Sequence, residues 1–117
     1  MGSSDDGFET IEDREAFEEE MERHSCALDE LVADYMDEHD ISTGAASFLL
    51  LALAVKMRMT AYGLETEQPS VSGLKLDLDR FRREIEDLVR EAKKGAEEFI
   101  QQIKKEIAEL ENEGGEP

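Results

Sequence analysis

An uninterrupted apolar segment, Phe48–Val55, is the feature that most limits how this chain can fold. The segment reads FLLLALAV within a predicted helix over 43–62, with Ser42 or Thr43 as its N-cap and Gly63 just past its end. A helix with no polar face must be covered on every side. Each helix of a lone three-helix bundle keeps one face in water, so we expect a second copy of the chain to complete the cover.

The predicted homodimer interface is centred on this helix and extends to an apolar stripe near the C-terminus. Its residues are Phe48, Leu49, Leu51, Leu53 and Val55 from the apolar segment, and Phe99 and Ile103 from the stripe. These residues define a self-association surface that consists only of apolar side chains.

The apolar segment is predicted to be covered by protein and not by lipid. The longest apolar run, 45–55, has 11 residues and contains Ser47, whereas a helix that spans a bilayer needs about 18. The first 25 residues contain Asp and Glu and lack the apolar stretch of a signal peptide. The single cysteine, Cys26, permits no internal disulfide. We therefore expect a cytoplasmic protein that does not bind membranes.

Amphipathic helices are predicted on both sides of the apolar helix. One covers 10–39 with Thr10 as its cap, and the other covers 76–112 after a linker at 64–73. Apolar residues recur in both at steps of three and four, which is typical of a helix with one buried stripe. In the first helix this seam consists of Phe17, Met21, His24, Leu28, Leu31 and Tyr35. In the long helix the seam consists of Leu78, Phe81, Ile85, Leu88, Ala92, Ala96, Phe99, Ile103, Ile107 and Leu110.

Together these patterns predict an all-α fold. We expect a three-helix bundle or helical hairpin with a long C-terminal helix, completed by homodimerisation. The predicted single domain covers 10–112, with flexible ends at 1–9 and 113–117. Gly95 interrupts the long helix at a cost of about 1 kcal/mol relative to alanine.

Negative charge is concentrated in the first third of the chain. The net charge of −18 divides into −14 for residues 1–40, 0 for 41–73 and −4 for 74–117. Such a surface disfavours binding to nucleic acid or to an anionic membrane, and it fits a basic protein partner. The predicted acidic face lies opposite the first seam and comprises Glu12, Glu15, Glu19, Glu22, Asp29 and Glu30. Salt adaptation and solubility are alternative explanations of the acidity.

The sequence predicts no catalytic, cofactor-binding or metal-binding residue. His24 and His39 are the only histidines, and methionine stands three residues before each, so the Glu-x-x-His motif of di-iron bundles is missing. Glu20 and His24 are four residues apart and could share a metal, although a seam histidine bonded to a neighbour is commoner. Cys26 lies among acids, which disfavour a nucleophilic thiolate.

Two classes of function follow from these residues. The first is a non-enzymatic helical interaction or assembly module that self-associates and binds a protein partner. The alternative is an inhibitor that mimics nucleic acid, because duplex DNA carries one charge per ~1.7 Å and an acid at every second helical residue approaches that density. The apolar second helix favours assembly, since a monomeric mimic would not need it.

Overall fold

The computed structural model describes residues 10–114. Within this range all of the regular secondary structure is helical, and there is no strand. Its four helices are α1 (Ile11–His39), α2 (Thr43–Glu65), α3 (Val71–Lys94) and α4 (Ala96–Gly114), which hold 90% of the described residues. The all-α prediction is confirmed. Of the two ends predicted to be flexible, 1–9 lies outside the described residues, as does 115–117. Glu113 and Gly114 instead extend α4.

Helix α1 begins at its predicted cap and ends in a left-handed residue. The Thr10 Oγ1 atom accepts a hydrogen bond from the Asp13 N–H at 3.0 Å, which satisfies an amide that has no partner inside the helix. At the other end Asp40 has φ 56° and ψ 49°. The N–H groups of Asp40 and Ile41 both donate to the Met36 carbonyl, so the helix closes in a tight turn.

Helix α2 starts as predicted and ends later than predicted. Ser42 is its cap, since the Ser42 Oγ atom accepts a hydrogen bond from the Ala45 N–H at 3.1 Å. The prediction that Gly63 ends the helix is wrong, because the helix continues for two more residues and the Thr66 N–H still donates to the Tyr62 carbonyl. Gly63 is not left-handed here, and only that conformation would make a glycine a helix terminator.

The start of α3 also differs from the prediction. The helix begins at Val71 and not near Leu76, because Ser70 caps it by accepting a hydrogen bond from the Gly73 N–H at 3.0 Å. The predicted ten-residue linker therefore shortens to 66–70.

The predicted long C-terminal helix is two helices separated by Gly95. The Gly95 N–H donates at 3.1 Å to the Ala92 carbonyl, three residues back, whereas an α-helical bond reaches four residues back. The apolar pattern shifts at the same point. Steps of three and four alternate from Leu78 to Ala92, the next step to Ala96 is again four, and the alternation then resumes through Ile100, Ile103, Ile107 and Leu110. Compared with a strict seven-residue repeat, the pattern thus contains one extra residue at Gly95.

The chain divides into two units within α2, between Ala52 and Leu53. The first unit contains α1 and the first turns of α2, and the second contains the rest of α2 with α3 and α4. Among the residues whose side chains the structure describes, Ala46 is the only buried apolar residue. Bundle packing and dimerisation therefore stay predictions.

Candidate interaction surfaces

The apolar surface of α2 is exposed in the single chain. Four of the five predicted interface residues on this helix are exposed: Phe48, Leu49, Leu51 and Leu53. Phe48 is the most exposed of them, with 70% of its surface accessible, and the fifth residue, Val55, is half-buried. In the C-terminal stripe Phe99 is exposed and Ile103 is half-buried. The predicted self-association surface is therefore accessible over most of its extent.

One arginine joins α2 to α3 as a helical hairpin. Arg58 on α2 donates to the Asp77 carboxylate through Nε at 2.9 Å and Nη2 at 3.3 Å. Its Nη1 atom donates to Glu84 at 2.9 Å, and the guanidinium carbon lies 5.0 Å from the centre of the Phe81 ring. Asp77 and Glu84 are two helical turns apart, so both lie on the side of α3 that faces Arg58.

Half-buried residues mark the two faces that meet in this hairpin. They recur at helical spacing and are Ala54, Val55, Arg58, Ala61 and Tyr62 on α2, and Leu74, Asp77, Leu78, Phe81 and Ile85 on α3. Beyond Ile85 the seam of α3 is uncovered, since Leu88 and Val89 are exposed. Helix α2 therefore covers the first half of the α3 seam and leaves the rest accessible.

The charged groups of Arg58 and Asp77 are partly shielded from water, and each stabilises the ionised form of the other. The side chain of Arg58 is 26% exposed and that of Asp77 is 16% exposed. Hydrogen bonds from Arg58 hold the pKa of Asp77 below its ordinary value, despite the desolvation that would raise it. The same bonds to Asp77 and Glu84 raise the pKa of Arg58. Arg58 and Asp77 are therefore both charged at neutral pH.

Sequence reasoning missed this cluster. The available signal was a lone arginine among apolar residues of α2, because a half-buried charge needs a partner of opposite charge. Two carboxylates spaced seven residues apart, Asp77 and Glu84, were candidates for that partner.

Tyr62 ties down the connection between α2 and α3. The Tyr62 Oη atom accepts a hydrogen bond from the Ser70 N–H at 3.2 Å and donates to the Ser70 carbonyl at 3.4 Å. Gly73 lies so close that a Cβ atom there would collide with the Tyr62 hydroxyl and stand 2.9 Å from the Ser70 Oγ. Space, and not backbone conformation, requires a glycine at position 73.

The seam of α3 has one acidic flank and one flank of mixed charge. Asp77, Glu84 and Glu91 follow the acidic flank, where Arg58 binds the first two. The mixed flank carries Lys75, Arg82 and Lys93 beside Asp79 and Glu86, together with Val71 and Val89. All of the residues of the mixed flank are exposed. Arg82 makes only a surface ion pair on its own helix, 3.4 Å from Asp79.

Helix α1 presents an apolar seam bordered by carboxylates. Met21, Leu28, Leu31 and Tyr35 are exposed, and the only half-buried residues of the helix are Val32 and Met36 near its end. The predicted acidic face, Glu12, Glu15, Glu19, Glu22, Asp29 and Glu30, is also exposed. Glu18, Glu20 and Asp34 lie closer to the seam, at its two edges. The helix thus combines an apolar stripe with acids at both of its edges and on the opposite face.

The histidines and the cysteine do not assemble into a site. The His24 Nε2 atom lies 3.8 Å from Glu20, and the His39 ring centre lies 4.2 Å from that of Tyr35. Cys26 is exposed. Within residues 10–114 no three His, Cys, Asp or Glu side chains are grouped so that they could hold a metal ion.

By length and composition alone, α2 could also cross a membrane. It has 23 residues, and only 6% of its most apolar stretch is buried. The unbroken apolar run has only 11 residues, whereas the whole helix is long enough and apolar enough on average to span a bilayer. Helix α2 could therefore be covered either by lipid or by protein.

No protein-family model, curated protein or solved structure matches this chain.

Proposed function

We propose that the protein is a non-enzymatic helical assembly module that self-associates through α2 and binds a protein partner. The exposure of α2 carries this proposal. Eight large apolar residues of this helix are at least 40% exposed: Phe48, Leu49, Leu50, Leu51, Leu53, Met57, Met59 and Leu64. At roughly 100 Å² each they present about 800 Å², comparable with the ~800 Å² per partner of a standard interface. An apolar patch of this size in water is typical of a binding surface.

The hairpin supports protein, and not lipid, as the cover for α2. Helix α3 lies along the second half of α2 through the Arg58 contacts, and 13 of its 24 residues are charged. If α2 crossed a bilayer, charges of α3 would enter the hydrocarbon at a cost of about 2.5–3.5 kcal/mol each, on the lowest scale. We therefore propose a soluble, cytoplasmic protein.

The acidic face of α1 supports a basic partner for the assembled module. A second version of the function makes that partner a nucleic-acid-binding protein that α1 blocks by mimicking nucleic acid. Both versions predict a salt-sensitive complex, because exposed charges are screened beyond about 8 Å at physiological salt. The apolar surface of α2 favours assembly as the primary role, since mimicry alone does not use it.

Light scattering tests the self-association. We expect a mass of about twice the 13.2 kDa of one chain. Leu51→Asp should dissociate the assembly because it places an unpaired charge in the interface. Phe48→Ala should weaken it without loss of helix, because this side chain is already exposed in the single chain. Gln68→Asp adds the same charge in the turn after α2 and should have no effect.

The results that contradict the proposal are equally direct. A wild-type protein that stays monomeric at tens of micromolar contradicts self-association. Flotation with phosphatidylcholine vesicles tests the lipid alternative, and we expect the protein to remain in the vesicle-free fraction. Recovery of the wild type with the vesicles would instead assign α2 to the membrane.

A further inference from the structure

We propose that α2 of one copy packs antiparallel against α2 of a second copy, and that the two helices cross near Ala52. The inference rests on the proposed self-association through α2 and adds the direction in which the two helices run. Three observations carry it: the charge-free first half of α2, the acidic group fixed at its start, and the balanced charge near its end.

The first half of α2 is suited to a copy of itself. Residues 43–55 carry no charged side chain, and Phe48, Leu49 and Leu51 among them are exposed. Such a surface has no charge with which to select a different partner, so what it offers is apolar area. The exposed apolar residues of α2 supply about 800 Å², which is what each copy contributes to a standard interface. A twofold axis pairs this patch with itself, so both copies are covered at once.

An acidic group lies at the start of α2. The segment before the helix carries Asp37, Glu38 and Asp40 beside one histidine. This group is held there because the Ile41 N–H donates at 3.0 Å to the Met36 carbonyl across the turn. A parallel pair of α2 helices would bring two such groups to the same end of the interface. An antiparallel pair separates them by about the length of α2, roughly 35 Å, whereas physiological salt screens exposed charges beyond about 8 Å.

The charges near the other end of α2 are balanced. Between residues 56 and 77 three bases offset three acids, namely Lys56, Arg58 and Lys75 against Glu65, Glu67 and Asp77. The antiparallel pair therefore sets each acidic start beside a neutral end, whereas the parallel pair sets it beside a second acidic start. The exposed Lys56 also comes level with Ser47 of the second copy and not with its own counterpart. The helix dipoles act in the same direction, since antiparallel helices place opposite ends side by side.

Distances between spin labels test the direction. The labels are attached in a Cys26→Ser background to one new cysteine at a time, Thr43→Cys, Ala52→Cys or Glu65→Cys, and are measured by electron spin resonance. For antiparallel helices that cross midway along 48–55, the two labels should be adjacent at 52, about 25 Å apart along the axis at 43 and about 40 Å apart at 65. Parallel helices would give short and similar distances at all three positions.

A mixed sample is a matched test that needs no label at the centre of the interface. Thr43→Cys and Thr60→Cys replace two exposed threonines, and the two labelled variants are mixed in equal amounts. Residue 43 of one antiparallel copy lies level with residue 60 of the other, so the mixture should show a short distance that neither variant shows alone. In a parallel pair the same two residues would be about 25 Å apart. Light scattering should give every labelled variant the mass of the wild type.

The outcomes separate this inference from the proposed function. Short distances at 43, 52 and 65 alike would mean parallel helices, which overturns the inference while self-association through α2 stands. If the label at 52 disturbs the dimer, the mixed sample decides the direction. A dimer without a short distance at 52 or in the mixture places α2 outside the interface, so the inference and the proposed role of α2 both fail. A monomeric wild type contradicts both as well.

Discussion

The left-handed residue at the end of α1 gives a sharp prediction on stability. Asp40, with φ 56°, is the only non-glycine residue of positive φ in residues 10–114. That conformation costs an L-residue roughly 1–2 kcal/mol, and it costs glycine nothing. The carboxylate also lies at a helix C-terminus, where negative charge is unfavourable by about 0.3–1 kcal/mol. Glycine also loses more conformational entropy on folding, which offsets part of this gain. The net result is that Asp40→Gly should raise the free energy of unfolding by about 1 kcal/mol.

Urea unfolding followed by far-ultraviolet circular dichroism measures this change. Protein concentration must be held constant, because self-association adds a concentration-dependent term to stability. Asp40→Asn removes the charge and keeps a residue that tolerates the left-handed region, so it should gain only about 0.5 kcal/mol. Ala33→Gly places a glycine inside α1 and should lose about 1 kcal/mol.

The three variants together test the conformation of residue 40. If Asp40→Gly destabilises the protein as Ala33→Gly does, residue 40 is not left-handed in solution. If Asp40→Gly and Asp40→Asn gain the same amount, the whole effect is electrostatic and the backbone contributes nothing. Only a larger gain for glycine than for asparagine agrees with the conformation at Asp40.

Two further predictions concern the hairpin. Gly73→Ala should lower Tm, by about 4–8 °C for each 1 kcal/mol lost, because the new Cβ displaces the Tyr62 hydroxyl from Ser70. The same change in a Tyr62→Phe background should cost less in calorimetry, and an equal cost would rule out this clash. The lowered pKa of Asp77 means that the unfolded state takes up a proton first on acidification. The stabilisation from the Arg58–Asp77 pair should therefore be complete above the ordinary aspartate pKa of about 3.9 and be lost as the pH falls below it. Arg58→Met should remove that part of the acid dependence of unfolding.

Local sequence signals predicted most of the helices. The caps at Thr10 and Ser42 were recognisable because each has a side-chain oxygen placed to bond an amide three residues on. Steps of three and four between apolar residues located the helical segments. The predicted end of α2 was wrong because a helix tolerates a glycine where neighbouring contacts hold it in place. Here the neighbouring Tyr62 is held by its hydrogen bond to Ser70.

The contacts between helices were beyond local reasoning. The exposed apolar face of α2 follows from composition alone, since eight consecutive apolar residues leave no polar side. The partners of Arg58 lie 19 and 26 residues away, on another helix, and helical periodicity does not specify which helices are neighbours. The role of the acidic flank of α3 was recognisable only when the structure placed Arg58 beside it.

The extra residue at Gly95 changes how a partner can follow the C-terminal helices. A strict seven-residue repeat averages 3.5 residues per turn, so two such helices must wind around each other. From Leu78 to Ile107 the seam advances 29 residues over eight turns, an average of about 3.6, which matches an untwisted helix. One inserted residue thus offsets most of the drift that a strict heptad pattern accumulates over this length. The apolar pattern of these two helices therefore does not impose the left-handed supercoil that an unbroken heptad pattern would.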